Sequence, residues 1–176
     1  KINGREVVFE GGLKRGPEPG AGYYDEIDVA EYLREGENTI DVLLWFFGKD
    51  GFSHVSSGKA GLIFSLEYNG LEEIVSDSSW LCCVRPEYST PGEPYANYRL
   101  SESNIRYDST VPQPQMQNAT ELGTWGDDPF GKMLPRPIPM WKDFGIKTGD
   151  LVRNGDTTIL RLPYNMQMTP IIKVND

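Results

Sequence analysis

Residues 62–75 read LIFSLEYNGLEEIV, two strand-like runs joined by Asn69-Gly70. Asn-Gly is the strongest short hairpin signal, because a two-residue loop that matches the twist of its strands needs positive φ at both central positions. The segment therefore predicts a β-hairpin, Leu62 to Tyr68 against Leu71 to Val75. A second Asn-Gly, Asn154-Gly155, precedes another strand-like run from Thr157 to Leu162. Further strand candidates are Arg5 to Phe9, Trp80 to Arg85, Asn97 to Leu100 and Ile171 to Val174. Many short strands divided by turn signals, with almost no helix, predict an all-β fold arranged as an antiparallel β-sandwich.

Upstream of the hairpin, residues 22–47 read GYYDEIDVAEYLREGENTIDVLLWFF. Asp28 stands where a side chain accepts from the N–H groups of a first helical turn, and Glu31 where a capping-box carboxylate reaches back. Ile27 and Tyr32 occupy the staple positions, and Gly36 supplies a left-handed residue at which such a turn ends. The grammar allows one or two turns of helix, too short to hold in water unless docked on something larger. From Asn38 onward the period becomes two, with Ile40, Val42, Leu44 and Phe46 on one face and Thr39, Asp41, Leu43, Trp45 and Phe47 on the other. The first face is apolar throughout and is expected to look into the core. The second begins polar and ends aromatic, so Trp45 and Phe47 are expected to point at another layer.

Residues 111–145 break the alternation. They hold Pro112, Pro114, Pro129, Pro135, Pro137 and Pro139 together with Trp125 and Trp141, which suits an extended segment laid across a surface rather than a strand in a sheet. Phe130, Met133, Met140 and Phe144 make this stretch too apolar to float free, so it is expected to pack on the sandwich or on another domain.

The chain has 176 residues, enough for one ordinary domain plus a tail and for burial of roughly two-thirds of the surface an unfolded chain exposes. No apolar run approaches the ~18 residues of a spanning helix, and no basic-then-apolar leader opens the sequence. Lys1-Ile2-Asn3-Gly4 reads as the end of a strand entering a turn, which predicts a piece of a longer polypeptide and removes any inference about compartment. The balance of 17 basic against 26 acidic groups, a formal charge of −9, opposes the field that nucleic acid or an anionic membrane would require. A neutral ligand such as a sugar is compatible with it. Cys82 and Cys83 are adjacent, a spacing that strains a disulfide, and they read as free strand thiols.

The candidate chemistry is sparse. His54 is the single histidine, set in the Gly/Ser-rich GKDGFSHVSSGKAG, and any nucleophilic triad would have to be built on it. One histidine and two neighbouring cysteines do not supply a tetrahedral zinc set. Asp25, Glu26, Asp28, Asp50, Asp127 and Asp128 are oxygen ligands of the kind calcium takes, without EF-type spacing, and leave a structural calcium as the cofactor to test. Glycoside hydrolysis needs two carboxyls across a cleft with one desolvated, and nothing in the sequence selects such a pair. Asn118-Ala119-Thr120 fits a glycosylation acceptor, a pattern of low specificity.

Several phrases resemble one family. KINGREV and YYDEIDVAEYLREGENTIDVLLW are similar to the "ING...V" and "Y...DVT..L..GeN.I.V.L" pattern of the N-terminal β-sandwich of α-L-rhamnosidases (glycoside hydrolase family 78-like). SDSSW, GEPYANYRLSESNIRYD, RPIPMW and LPYNMQMTPII resemble rhamnosidase-like proteins in the same order. Val29-Ala30 departs from the pattern, where the third family position is often Thr. The resemblance implies a galactose-binding-like jelly roll at 1–110, a Pro/aromatic crossing segment at 111–145, and the first strands of a second, incomplete β-sandwich at 146–176. It implies catalytic carboxylates in an (α/α) barrel elsewhere on the parent chain, so none is assigned here. It further implies an accessory role beside that catalytic domain, carbohydrate as a partner, and an extracytoplasmic setting.

Sugars are bound by aromatic platforms with polar groups at the rim, which makes Trp45, Asp50, Phe52, His54 and Trp125 the candidate carbohydrate-binding set. The competing reading of the same aromatics is an interface with a neighbouring domain. A free-standing carbohydrate-binding, lectin-like module is the alternative function.

Overall fold

A computed structural model of the chain describes residues 1–8, 16–46, 48, 50, 56–89, 105–128, 131–165, 171 and 173. The chain divides into two compact units, Lys1–Pro139 and Met140–Asp176. Regular structure among the described residues is β-strand, in five two-stranded ladders, with one 3₁₀ turn. In chain order the elements are β1 (Ala21–Tyr24), the 3₁₀ turn (Ala30–Tyr32), β2 (Ser65–Tyr68), β3 (Leu71–Val75), β4 (Leu81–Cys82) and β5 (Tyr88–Ser89). They continue with β6 (Arg106–Tyr107), β7 (Gln117–Asn118), β8 (Lys132–Pro135), β9 (Asp150–Asn154) and β10 (Thr157–Arg161). Four ladders are antiparallel, β2–β3, β4–β7, β5–β6 and β9–β10, and one, β1–β8, is parallel.

The central hairpin forms as its turn dictates. Asn69 at φ 52° and Gly70 at φ 76° give the positive pair of a type I′ turn, and Tyr68 faces Leu71 across it. The ladder slips between Leu66 and Glu67, which leaves Glu73 as the extra residue of a bulge and sets Glu67 opposite Glu72. Ser76 extends the pairing, its N–H donating to the Phe64 carbonyl at 2.9 Å while its Oγ accepts from the Phe64 N–H at 3.0 Å. Trp80 then closes over the hairpin base, with its ring 5.3 Å from that of Phe64 and its indole N–H bonded to the Val75 carbonyl at 2.7 Å.

The SDSSW phrase has a local cause for its order. Asp77 Oδ1 accepts from the N–H and hydroxyl of Ser79 at 2.8 and 2.5 Å, which turns the chain so that the Trp80 carbonyl can accept from Ala119 at 2.8 Å. β4 and β7 pair immediately beyond, with Leu81 opposite Asn118. Cys82 lies in β4, and both thiols are free.

A second type I′ geometry opens the chain. Asn3 at φ 51° and Gly4 at φ 77° reverse it between Ile2 and Arg5, which exchange main-chain bonds of 2.9 Å in both directions. Ile2 also bridges Ile40 antiparallel, and at 5% exposure it is the buried hydrophobic residue of the described set.

The stretch 111–145 departs from the extended crossing segment expected of it. It contributes β7 and β8, and β8 runs parallel to β1 in the register Ala21–Lys132 to Tyr24–Pro135. Proline fits because Pro135 occupies the last position of β8, and the next N–H, that of Arg136, donates to the Tyr24 carbonyl at 3.0 Å. Gly131 is required at the entry: it sits at φ 59°, and a Cβ there would lie 1.8 Å from the Gly20 carbonyl oxygen.

The run from Asn38 also departs from expectation. Ile40 bridges Ile2, but Asp41 to Phe46 belong to no strand, and Phe46, expected in the core, is 40% exposed. The reason is an unfilled ladder: nothing described pairs with the main chain beyond Asp41. Of the remaining strand candidates, Arg5 supplies one bridge, Trp80 to Arg85 contracts to β4, and Asn97 to Leu100 lies outside the described residues.

In the second unit β9 and β10 form a hairpin whose loop is Gly155-Asp156, one residue later than the Asn-Gly reading places it. Gly155 alone has positive φ, 59°, the pattern of a type II′ turn with glycine first. Ile159 faces Val152 and Leu160 faces Leu151 across the ladder.

Candidate functional site

The aromatic end of the Asn38–Phe46 run is positioned by two asparagines. Asn3 Nδ2 donates to the Tyr32 carbonyl at 2.9 Å and to Asn38 Oδ1 at 2.8 Å, while Asn3 Oδ1 accepts from the Thr39 N–H at 3.1 Å. Asn38 in turn closes the loop before it. Its Oδ1 accepts from the Arg34 N–H at 3.0 Å, and its Nδ2 donates to the Arg34 and Gly36 carbonyls at 2.9 Å each. Gly36 takes φ 85°, so the left-handed residue serves this loop rather than ending the 3₁₀ turn, which stops at an extended Leu33. Asp28 Oδ1 accepts from the Ala30 N–H at 3.0 Å as the sequence suggests. Glu31 does not reach back into a capping box; its carboxylate pairs with Arg5 at 3.4 Å, and the Arg5 guanidinium stacks 4.5 Å from the Tyr32 ring centroid.

Trp45 therefore leaves a fixed base. It is 51% exposed and, with Leu44, Phe46, Ser57, Lys59, Ala60 and Gly61, lines an open depression of about 130 Å³. Asp50 Oδ1 accepts from the Ser56 N–H at 2.8 Å, one residue before the Ser57 of that lining. Trp45 and Asp50 thus belong to one neighbourhood. Phe52 and His54 lie outside the described residues.

Trp125 belongs to a different group, built on the β1–β8 ladder. Its ring meets Tyr24 edge to face at 5.3 Å, and it stays half exposed. One residue on from Tyr24, Asp25 accepts from Arg136 Nε at 2.5 Å, and the Arg136 side chain is 7% exposed. Partial desolvation, then the neighbouring Glu26 carboxylate and its hydrogen bond, raise the Tyr24 phenol above its ordinary pKa.

Four of the six acids considered for calcium bond to groups of the protein itself. Asp25 holds Arg136, Asp28 caps Ala30, Asp50 holds Ser56, and Asp127 Oδ2 accepts from the Thr124 N–H at 2.9 Å and its hydroxyl at 3.1 Å. Those Thr124 donors hold the Asp127 carboxyl below the usual range. Among the described residues no three His, Cys, Asp or Glu side chains converge as a metal would need.

Sequence reading missed Glu87, which is 1% exposed beside the Tyr88–Tyr107 ring pair of β5 and β6. Arg85 Nε donates to Glu87 Oε1 at 2.6 Å, and Glu87 Oε2 is buried without a hydrogen-bond partner. The Arg85 hydrogen bond outweighs burial and lowers the Glu87 pKa. A general acid requires the opposite shift, so Glu87 serves as an anchor for Arg85. The signal in the sequence is only Arg85-Pro86-Glu87, two opposite charges flanking a proline, without any period to mark burial.

No family model, no curated protein and no solved structure matches the chain.

Proposed function

We propose that the chain is a non-catalytic accessory β-module of a glycoside hydrolase acting on terminal α-L-rhamnosides. In this reading a galactose-binding-like jelly roll at 1–110 leads through 111–145 to strands of a second sandwich, and the whole braces a catalytic barrel carried by the parent chain. The observation that carries the reading is the direct bond between two of the phrases that resemble the family. Asn3 of KINGREV and Asn38 of REGENTI hold each other through Nδ2 and Oδ1 at 2.8 Å, so the shared letters have one structural purpose. Half-exposed Trp45 and Trp125 supply apolar surface of the kind a neighbouring domain covers.

Trp45 beside its depression gives specific support to the lectin-like alternative. The size of the depression supports the bracing role with weak sugar contact: about 130 Å³ falls short of the ~300 Å³ at which ligand pockets begin. Calorimetric titration with rhamnose, galactose and short plant-type oligosaccharides tests it. The expected result is a Kd weaker than about 1 mM. Tighter binding, abolished by Trp45→Ala in a folded protein, establishes the lectin reading instead, and turnover of an aryl rhamnoside by this chain refutes both.

A further inference from the structure

Asn-Gly pairs occur at Asn3, Asn69 and Asn154. Asparagine before glycine is open to an uncatalysed rearrangement, because glycine has no Cβ to hinder the approach of its nitrogen to the asparagine side-chain carbonyl. The fold treats the pairs differently.

Asn3-Gly4 and Asn69-Gly70 make a matched comparison. Their φ values are 51° and 77° in the first and 52° and 76° in the second, so the dipeptide and the turn type are the same. The side-chain amides differ. That of Asn3 is half-buried and fully engaged: Nδ2 donates to the Tyr32 carbonyl and to Asn38 Oδ1, and Oδ1 accepts from the Thr39 N–H. Asn69 and Gly70 are exposed, and neither the Asn69 amide nor the Gly70 N–H bonds to another described residue. The pair flanking that turn, Tyr68 and Leu71, is 68 and 66% exposed, so opening the hairpin tip uncovers little further apolar surface. Asn154 is exposed as well, but it is the last residue of β9, in register with Thr157 and without a positive φ, so it is held by the ladder.

We infer that Asn69-Gly70 is a self-modifying site at which the chain converts asparagine into aspartate and isoaspartate. The Gly70 main-chain nitrogen, its proton lost to solvent base, attacks Asn69 Cγ. The N–Cγ bond forms, the Cγ–Nδ2 bond breaks, and ammonia leaves with a proton from water, which closes a cyclic succinimide. Water then opens the ring. Cleavage between nitrogen and Cγ gives aspartate; cleavage between nitrogen and the main-chain carbonyl carbon gives isoaspartate, whose backbone runs through Cβ and Cγ. Asparagine and water thus become an acid and ammonia, and water is the sole co-reactant.

Either product acts on the hairpin. The new carboxylate joins Glu67 and Glu72, already opposite each other, near the same tip. Isoaspartate also lengthens the backbone by a methylene, which a two-residue turn between Tyr68 and Leu71 cannot take up without splaying its strands. The site rests on the turn and is independent of the rhamnosidase-type reading.

The chain is kept warm at mildly alkaline pH, and the deamidated fraction of each Asn-Gly peptide is followed by mass spectrometry, with electron-transfer fragmentation separating isoaspartate from aspartate. Asn69 is expected to lead, with Asn3 slower by about tenfold or more, because its hydrogen bonds must open before its amide can turn. Denaturing urea is expected to bring these rates together. Asn38→Ala, which removes one partner of the Asn3 amide, is expected to speed Asn3 and leave Asn69 unchanged. Ageing is expected to lower the urea midpoint of the parent chain but not of Asn69→Gly, which keeps the positive φ and lacks the amide. Equal rates at Asn3 and Asn69 in the folded chain, or a lead by Asn3 or Asn154, overturns the assignment. An ageing loss that persists in Asn69→Gly overturns the claimed effect on the hairpin.

Discussion

Asn38→Ala removes the hub of the first unit. Four hydrogen bonds end on this half-buried amide: Oδ1 accepts from Arg34 N–H and Asn3 Nδ2, and Nδ2 donates to the Arg34 and Gly36 carbonyls. Each bond contributes a net ~0.5–1.5 kcal/mol, but the groups nearest solvent recover water, so the sum is discounted to a loss of about 2–3 kcal/mol. Asn38→Asp keeps the oxygen that accepts both bonds yet turns the donor into an anionic oxygen facing two carbonyls, and it is expected to cost as much as alanine. Asn3→Ala, which leaves the Arg34 loop intact but loses three hydrogen bonds and puts alanine at a positive φ, is expected to cost a similar amount. A double-mutant cycle between Asn3 and Asn38 isolates the single 2.8 Å bond, with an expected coupling of about 0.5–1.5 kcal/mol. Urea unfolding followed by tryptophan fluorescence measures all four variants at fixed m-value. A loss below about 0.5 kcal/mol for Asn38→Ala, or additivity in the cycle, refutes the claim that this pair organises the opening of the chain.

Gly131→Ala forces a Cβ onto the Gly20 carbonyl at a positive φ and is expected to cost about 1–3 kcal/mol, read as a lower urea midpoint; a neutral result removes the close β1–β8 entry. Glu72→Lys replaces the like-charged pair opposite Glu67 by an opposite-charged one, and a rise in Tm of about 1–3 °C is expected by calorimetry, smaller at high salt. Glu87 has a folded pKa below its ordinary value, so its contribution is present above the unfolded glutamate pKa of about 4.3 and is lost as pH falls through the lower folded value. A Glu87→Gln protein is therefore expected to lose less stability than the parent on acidification through that window, and parallel pH–stability curves contradict the ion-pair assignment.

Local turn chemistry was legible in the sequence wherever two adjacent residues decided a backbone shape. Asn69-Gly70 could be read because positive φ is costly for most residues, and Asn3-Gly4 follows the same rule. Gly155 was read one residue early because the Asn-Gly pattern admits both a I′ loop and a II′ loop shifted by one. The β1–β8 pairing was not legible: AGYY and KMLP carry no alternation, and a parallel contact depends on which distant backbone comes alongside. The partition of the site was equally hidden. Trp45 and Trp125 look alike as letters, yet one leaves the Asn3–Asn38 frame and the other stacks on Tyr24, because tertiary placement alone separates them.

The parallel ladder also bears on how the chain comes into being. Asp25 and Arg136 are 111 positions apart, so at roughly 5–20 residues per second a ribosome needs about 6–22 s to deliver the second after the first. The Asn-Gly hairpin, by contrast, closes within microseconds of its emergence. β1 therefore spends that interval without its partner strand, and Tyr23 and Tyr24 stay open to chaperones or proteases until translation passes Pro135.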